Sequence, residues 1–360
     1  MAERSPKQKL NLTAGEWIEV RSREEILATL DEHGRFENLP FMPEMLQYCG
    51  QRIRVSKRAD KTCDPAHAPW SIRRMTNSVH LEGARCDGTA HGGCQAGCLI
   101  FWKEAWLKRA EDRAVMTARP GTPGEVPGAL DSSCTVERLL SATHVEQPGE
   151  EAVYSCQATR LRDFTSEMAS WDPRQYIRDL RSGNLASGLA ADSRPHRMLE
   201  FVLGLIQLLR ALIISIFNRI PGRISGAQYP YVAGTPGKTP VETLDLQEGE
   251  VVQVLSKEAI MGTLDSLHRN RGMLFDVEML RYCGGNYRVL RRVRRIIDER
   301  TGKLLDMKHP CIVLDGVVCQ SEYHRFCPRA IYPYWRENWL KRTANNAASV
   351  SNQEVTPSCK

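Results

Sequence analysis

The chain has 360 residues with a formal net charge of +6, and 42% of them are apolar and 26% charged. This length accommodates two or three domains, and the apolar fraction is typical of a globular protein. The basic residues form no long block, which makes nucleic acid an unlikely partner, and residues 1–11 lack the apolar core of a secretory signal. We therefore expect a cytoplasmic protein whose twelve cysteines serve metal binding rather than disulfides.

The sequence contains an internal repeat. Tyr48-Cys49-Gly50 recurs 234 positions later as Tyr282-Cys283-Gly284, within a longer match that begins at Leu12 and Leu246. After a slip of one residue, the pattern Trp-x-Glu-x-Trp-Leu-Lys-Arg follows at both Trp102 and Trp335. A repeat of this length marks two copies of one structural unit. It predicts two homologous modules, residues 12–110 (module 1) and 246–343 (module 2).

Each module is predicted to follow the same order of elements. A strand at 15–20 precedes a helix that Ser22 can cap, and a strand at 249–254 precedes one that Ser256 can cap. A short helix is expected at 43–48, with Gly50 ending it, followed by strands near 53–55 and 79–81. Residues 101–107 fit either a helix or a closing strand. The fold class predicted is α+β, with two small β-rich, metal-stabilised modules and a partly helical region between them.

The remaining segments differ from the modules in composition. Residues 111–149 are rich in proline and glycine and read as a linker, and 344–360 are predicted to be a disordered tail. A mixed middle region spans 150–245 and includes an apolar amphipathic helix at 198–220. Charged residues interrupt that helix, which argues against a membrane span. Three roles stay open for it: packing inside the protein or against a partner or second copy, lying on an anionic membrane surface, and spanning the membrane.

Both modules carry the metal-ligand pattern C-x4-H-x2-C. Adding the Tyr-Cys-Gly cysteine gives four candidate ligands in each module, and thiolate with imidazole favours Zn²⁺, so we expect two zinc sites. The predicted ligands are Cys49, Cys86, His91 and Cys94 in module 1, and Cys283, Cys319, His324 and Cys327 in module 2. A closed site of this kind stabilises the fold, by about 10–16 kcal/mol in small zinc peptides. Cys63 and Cys98 are not repeated in module 2, and we leave them out of the ligand set.

Three resemblances add expectations. Cys86-Asp87-Gly88-Thr89-Ala90-His91 resembles the CDGSH iron–sulfur family, which implies iron or an iron–sulfur cluster as a minor alternative to zinc. The segment from Cys327 to Arg342, with Tyr282-Cys283-Gly284, resembles a group of uncharacterised bacterial proteins, some of them encoded near surface-polysaccharide genes. The order of strands resembles a small SH3-like barrel, which implies a fold but no activity.

The residues favour a non-enzymatic, metal-stabilised interaction or scaffold protein. The second resemblance implies a role accessory to surface-polysaccharide production, and the helix at 198–220 suggests a peripheral location at the inner face of the membrane. Two alternatives remain: a metalloenzyme or accessory factor that modifies a glycan or peptide, and a zinc protein that binds nucleic acid. Trp102, Trp106, Trp335 and Trp339 bear on the last of these, because they either stack on bases or sugars or close the hydrophobic core.

Overall fold

A computed structural model describes residues 9–67, 71–110, 134–145, 149, 151–169, 172–185, 194–219 and 243–343. It is an α+β structure in which strand (29%) exceeds helix (22%), and its main sheet curls into a half-barrel. The predicted α+β class is therefore confirmed. The predicted tail 344–360 and most of the linker lie outside the described residues.

The elements of residues 9–110 begin with a strand and a capped helix. In chain order they are β1 (Trp17–Val20), α1 (Arg23–Leu27), β2 (Arg35–Phe36), β3 (Leu39–Pro40), a 3-10 helix (Pro43–Tyr48), β4 (Arg52–Arg58), β5 (Lys61–Asp64), β6 (Ser71–Arg74), β7 (Ser78–Leu81), β8 (Trp102–Lys103), a 3-10 helix (Glu104–Trp106) and β9 (Leu107–Arg109). The capping box predicted at Ser22 is confirmed, since Ser22 and Glu25 bond reciprocally to each other's backbone N–H. The ambiguous segment 101–107 combines two short strands with a 3-10 turn.

The segments between the two modules contribute short elements and two longer helices, and the first two of these elements lie in the predicted linker 111–149. They are α2 (Val136–Ser141), β10 (His144–Val145), β11 (Val153–Tyr154), β12 (Ser166–Glu167), α3 (Arg174–Arg181) and α4 (Arg194–Arg219). The helix predicted at 198–220 corresponds to α4, which starts four residues earlier, and residue 220 lies outside the described residues.

The elements of residues 243–343 follow the order seen at 12–110. They are β13 (Val251–Val254), α5 (Lys257–Met261), β14 (Arg269–Asn270), β15 (Met273–Leu274), a 3-10 helix (Val277–Tyr282), β16 (Asn286–Ile297), β17 (Leu304–Leu314), a 3-10 helix (Glu337–Trp339) and β18 (Leu340–Arg342). Ser256 caps α5 by accepting the Ala259 N–H, as the sequence predicts.

The two main sheets share an antiparallel centre. In module 1 the strand order is β8-β7-β4-β1-β9, and in module 2 it is β17-β16-β13-β18. Ile18 of β1 pairs with Ile53 of β4, and Val252 of β13 pairs with Tyr287 of β16 at the corresponding register. A second sheet, β12-β6-β5, joins residues 166–167 of the middle region to module 1.

Four tryptophans close the hydrophobic cores. Trp102, Trp106, Trp335 and Trp339 are fully buried. Trp106 packs edge-on against Phe41 at 5.2 Å between ring centroids, and Trp339 packs against Phe275 at 5.3 Å. Because these indoles have no exposed face, they cannot stack on a base or sugar in this conformation. Their role is packing.

The chain divides into two compact units whose boundaries differ from those of the modules. The first contains residues 1–208 together with 296–305 and 326–329, and the second contains 209–295, 306–325 and 330–360. The first unit thus takes in the end of the β16–β17 hairpin and the segment that carries Cys327.

Helix α4 leaves much of its apolar surface uncovered. Gly204 lies against Leu180 and Leu185, where an added Cβ would be 3.0 Å from the Leu180 side chain. Eight of the large apolar side chains described on this helix are exposed, whereas Leu203, Leu208 and Ile214 are half-buried. The exposed ones are Val202, Leu205, Ile206, Leu209, Leu212, Ile213, Ile216 and Phe217. None of the helices in the described ranges has the length and apolar character needed to cross a membrane.

Candidate metal centre

A buried group of three potential ligands lies in module 1. Glu44 sits in the first turn of the 3-10 helix Pro43–Tyr48, and its Oε1 accepts hydrogen bonds from His91 Nδ1 at 2.6 Å and from the Ala90 N–H at 3.0 Å. One ligand atom each from Glu44, Cys86 and His91 lie within 4.8 Å of one another. The Glu44 and His91 side chains are 0% and 1% exposed. The structure thus brings together three donor groups that a metal ion could bridge.

One atom of this group has no partner. Glu44 Oε2 is buried and forms no hydrogen bond, although Oε1 of the same carboxylate accepts two. A buried carboxylate oxygen without a donor is unfavourable, and a bound cation would satisfy it. The residues present therefore fit a metal ion.

Local sequence shapes the loop that carries Cys86, His91 and Cys94. The Gly88 carbonyl accepts the N–H groups of His91 and Gly93, both at 3.0 Å, and the His91 carbonyl accepts that of Cys94 at 3.1 Å. Gly88 has φ +75°, and a Cβ there would lie 2.0 Å from the Cys94 carbonyl oxygen. Only glycine is compatible with this close approach.

The same loop forms the wall of a cavity of about 40 Å³. Six of its lining residues are potential metal ligands: Cys86, His91, Cys94, Cys98, Cys156 and Glu299. Cys94 Sγ also accepts the Ile297 N–H at 3.4 Å. In the described residues only Glu44, Cys86 and His91 meet the 4.8 Å spacing, so Cys94, Cys98 and Cys156 line the cavity without belonging to this group.

Sequence reasoning missed three of these residues. Glu44 recurs as Glu278, and this identity was the available signal, but a carboxylate was not expected beside thiols. Cys98 was left out because module 2 has Ile331 at the equivalent position. Cys156 belongs to the middle region, and only tertiary structure brings it to the cavity.

Burial keeps three thiols of the cavity neutral in the absence of a metal. Burial raises the pKa of Cys86, of Cys156 and of Cys98, the last to about 12. Since a metal binds the thiolate, loading this site expels protons.

The fourth predicted ligand of module 1 is placed differently. Cys49 ends the 3-10 helix Pro43–Tyr48, and it is half-buried and packed against the hydrophobic core. It is not part of the group formed by Glu44, Cys86 and His91.

The equivalent side chains of module 2 have other partners. His324 Nε2 lies 3.0 Å from Asp276 Oδ1, and Cys319 Sγ lies 3.3 Å from the Ser321 hydroxyl. The Cys283 thiol is directed at the Met279 carbonyl at 3.9 Å. Within the ranges that the structure describes, no three potential ligands of module 2 come within 4.8 Å of one another.

Cys327 belongs to the first compact unit and lies against Cys63. Its Sγ accepts the Cys63 N–H at 3.0 Å, while Arg329 nearby pairs with Glu299 at 2.8 Å. Burial acts to raise the pKa of Cys327, but hydrogen bonds from Cys63 and the Arg329 charge outweigh it and lower the pKa to about 6. A cationic neighbour stabilises this thiolate without a metal.

The chain has no counterpart in the comparisons with known proteins. No protein-family model, no curated protein and no solved structure matches it.

Proposed function

We propose that this protein is a non-enzymatic, metal-stabilised interaction protein, built from two related modules of which module 1 holds the metal. The observation that carries this proposal is the buried Glu44 carboxylate, whose Oε2 lacks a partner beside Cys86 and His91. Full burial of Glu44 and His91 favours a structural role, because a catalytic metal keeps an open position that substrate can reach.

Zn²⁺ is the favoured metal. Thiolate, imidazole and carboxylate are all common zinc ligands, and Cys86, His91 and Glu44 supply one of each. The wider arrangement of Cys86, Cys94, Cys98 and Cys156 supports the alternative of an iron–sulfur cluster, since such clusters are held by cysteine thiolates. An absorption spectrum distinguishes the two, because a zinc protein is colourless.

Metal content tests the proposal directly. The full-length protein, purified without chelator, is compared with Cys86→Ser and with Cys319→Ser, the equivalent change in module 2. We expect one zinc per chain in the wild type and in Cys319→Ser, and loss of that zinc in Cys86→Ser. Metal-free wild-type protein, or equal loss in both variants, would refute the assignment to module 1.

The exposed apolar side chains of α4 support the interaction role. A contiguous apolar surface of this kind is typical of a binding surface. We favour a second copy of the chain as the occupant, because eight large apolar side chains on one helix suit packing against the same helix of a partner.

Sedimentation of the wild type and of Leu212→Glu with Ile216→Glu tests this occupant. A dimer that the double variant converts to monomer supports it. A wild-type monomer that floats with anionic liposomes would instead assign the surface to a membrane.

A further inference from the structure

The tight turns at the start of the two modules place residues of opposite charge at the same point. Glu37 follows β2 with φ 50°, and Arg271 follows β14 with φ 52°. Each is the first of two turn residues with positive φ, the conformation of a type I′ hairpin. Because the backbone is the same, the two side chains start from equivalent positions.

In module 1 this position completes an ion pair. Lys103 is buried, and its Nζ donates to Glu37 Oε2 at 2.9 Å and to the Thr76 carbonyl at 3.1 Å. The carboxylate neutralises a charge that would otherwise be costly inside the protein.

In module 2 the carboxylate is absent. Arg336 replaces Lys103, and it donates to the carbonyls of Asn270, His309 and Arg271 at 3.3, 2.8 and 3.0 Å. No carboxylate of the described residues pairs with Arg336 or with Arg271. Arg336 is 8% exposed, so a buried cation of module 2 lies beside a second cation where module 1 has an anion.

A pocket of about 70 Å³ opens at this position within the second unit. Arg271, His309 and Arg336 line it, together with Arg292, whose charge is already matched by Glu337 at 2.5 Å. Burial and the charges of Arg271 and Arg336 lower the pKa of His309, and burial and Arg271 lower that of Arg336. The cations are close enough to repel one another.

The pocket also contains a buried acceptor without a donor. Asn270 is fully buried, its Nδ2 donates to the Thr263 carbonyl at 3.3 Å, and its Oδ1 has no partner. An amide oxygen in this state is satisfied by a hydroxyl donor.

We propose that this pocket of module 2 binds an oxyanion, a phosphate or carboxylate group, on a small molecule that also offers a hydroxyl to Asn270. The oxyanion takes the place that the Glu37 carboxylate occupies in module 1. Arg271 can donate all of its guanidinium N–H groups to the oxyanion. Arg336 can donate two, because three of its five N–H groups bond to carbonyls. This site is independent of the metal centre.

Calorimetric titration of the full-length protein with glucose 6-phosphate and with glucuronate tests the proposal. We expect saturable binding of at least one of them, and the one that binds identifies the oxyanion. Arg271→Glu restores the pairing seen at Lys103 and Glu37, so we expect it to weaken binding at least tenfold. Arg271→Gln serves as a second variant that removes the charge without adding one.

The control is Arg300→Glu, which makes the same change in net charge at an exposed turn outside the pocket. Binding should be retained in this variant. The proposal would be overturned if neither glucose 6-phosphate nor glucuronate bound, or if both Arg271 variants bound as tightly as the wild type. An equal loss of binding in Arg300→Glu would overturn it too.

Discussion

The Glu44 carboxylate and the His91 imidazole lie 2.6 Å apart in the interior of module 1. In module 2, Nε2 of the equivalent His324 lies 3.0 Å from Asp276 Oδ1, while the equivalent Glu278 accepts the Tyr323 N–H at 2.6 Å. One hydrogen bond is common to both modules. The Ala90 N–H donates to the Glu44 carboxylate, and the Tyr323 N–H donates to the Glu278 carboxylate. The two sites therefore agree in this hydrogen bond and differ in the carboxylate that each histidine contacts.

This difference predicts the effect of removing each carboxylate. Glu44→Gln should lower zinc affinity by about 10–100-fold, the usual effect of losing a carboxylate that ligates the metal or orients a ligating histidine. Competition with a chromophoric chelator measures the change. Glu278→Gln is the matched control and should leave affinity unaltered, and a Glu44→Gln protein with wild-type affinity would contradict the assignment.

Stability should fall in acid because of His80. This side chain is fully buried, its Nδ1 lies 2.8 Å from the Ile100 carbonyl, and burial lowers its pKa from 6.5 to about 3. Below pH 6.5 the unfolded chain binds a proton that the folded chain does not, so the free energy of unfolding decreases by up to about 1.4 kcal/mol per pH unit until about pH 3.

Urea unfolding at pH 7 and pH 5 measures this dependence. His80→Gln, which retains a donor but cannot be charged, should reduce the difference between the two pH values by about 2 kcal/mol. His33→Gln changes an exposed histidine and should leave the difference in stability between the two pH values unaltered. An unchanged pH dependence in His80→Gln would show that other groups cause it.

Glu104 should be among the most important polar side chains for stability. Its carboxylate is buried, pairs with Arg58 at 2.7 Å, and accepts the N–H groups of Leu10 at 2.9 Å and Leu12 at 3.0 Å. Glu104→Ala leaves the two N–H groups without their acceptor and removes one of the two carboxylates that pair with Arg58, the other being Asp60. We expect a loss of about 3–5 kcal/mol in urea unfolding.

The control for Glu104 is an exposed pair of the same sheet. Glu19 and Lys108 lie 2.8 Å apart on adjacent strands, with both side chains accessible to solvent. Glu19→Ala should change stability by less than about 1 kcal/mol. Similar losses in the two variants would mean that burial does not set the strength of these pairs.

Two tryptophans of module 1 provide a comparable contrast in packing. Trp106 is fully buried and donates to the Thr29 hydroxyl at 3.1 Å, whereas Trp17 is 50% exposed. Trp106→Ala should cost about 3–5 kcal/mol, and Trp17→Ala about 0.5 kcal/mol or less. Thermal unfolding of both variants measures this, and equal shifts would contradict the assignment of Trp106 to the core.

Local sequence was sufficient to predict the elements that short-range rules control. The capping box of Ser22 and Glu25 and the 3-10 helix Pro43–Tyr48 depend on residues a few positions apart. The loop at Cys86 is local too, since Gly88 alone permits its tight turn. The contact between Glu44 and His91 could not be predicted from local sequence, because it depends on how a helix packs against a loop that is distant in the chain.

The amino-acid sequence by itself determined the repeat, the α+β class and the concentration of thiols and imidazole near His91. Only the tertiary structure decided which repeated side chains meet. Identical motifs place their ligands on the same backbone path, but partners such as Glu44, Cys156 and Asp276 come from elsewhere in the chain and direct each side chain. The physical reason is that a buried polar group is stabilised by a hydrogen-bond partner within reach, and the partners within reach differ between the two modules.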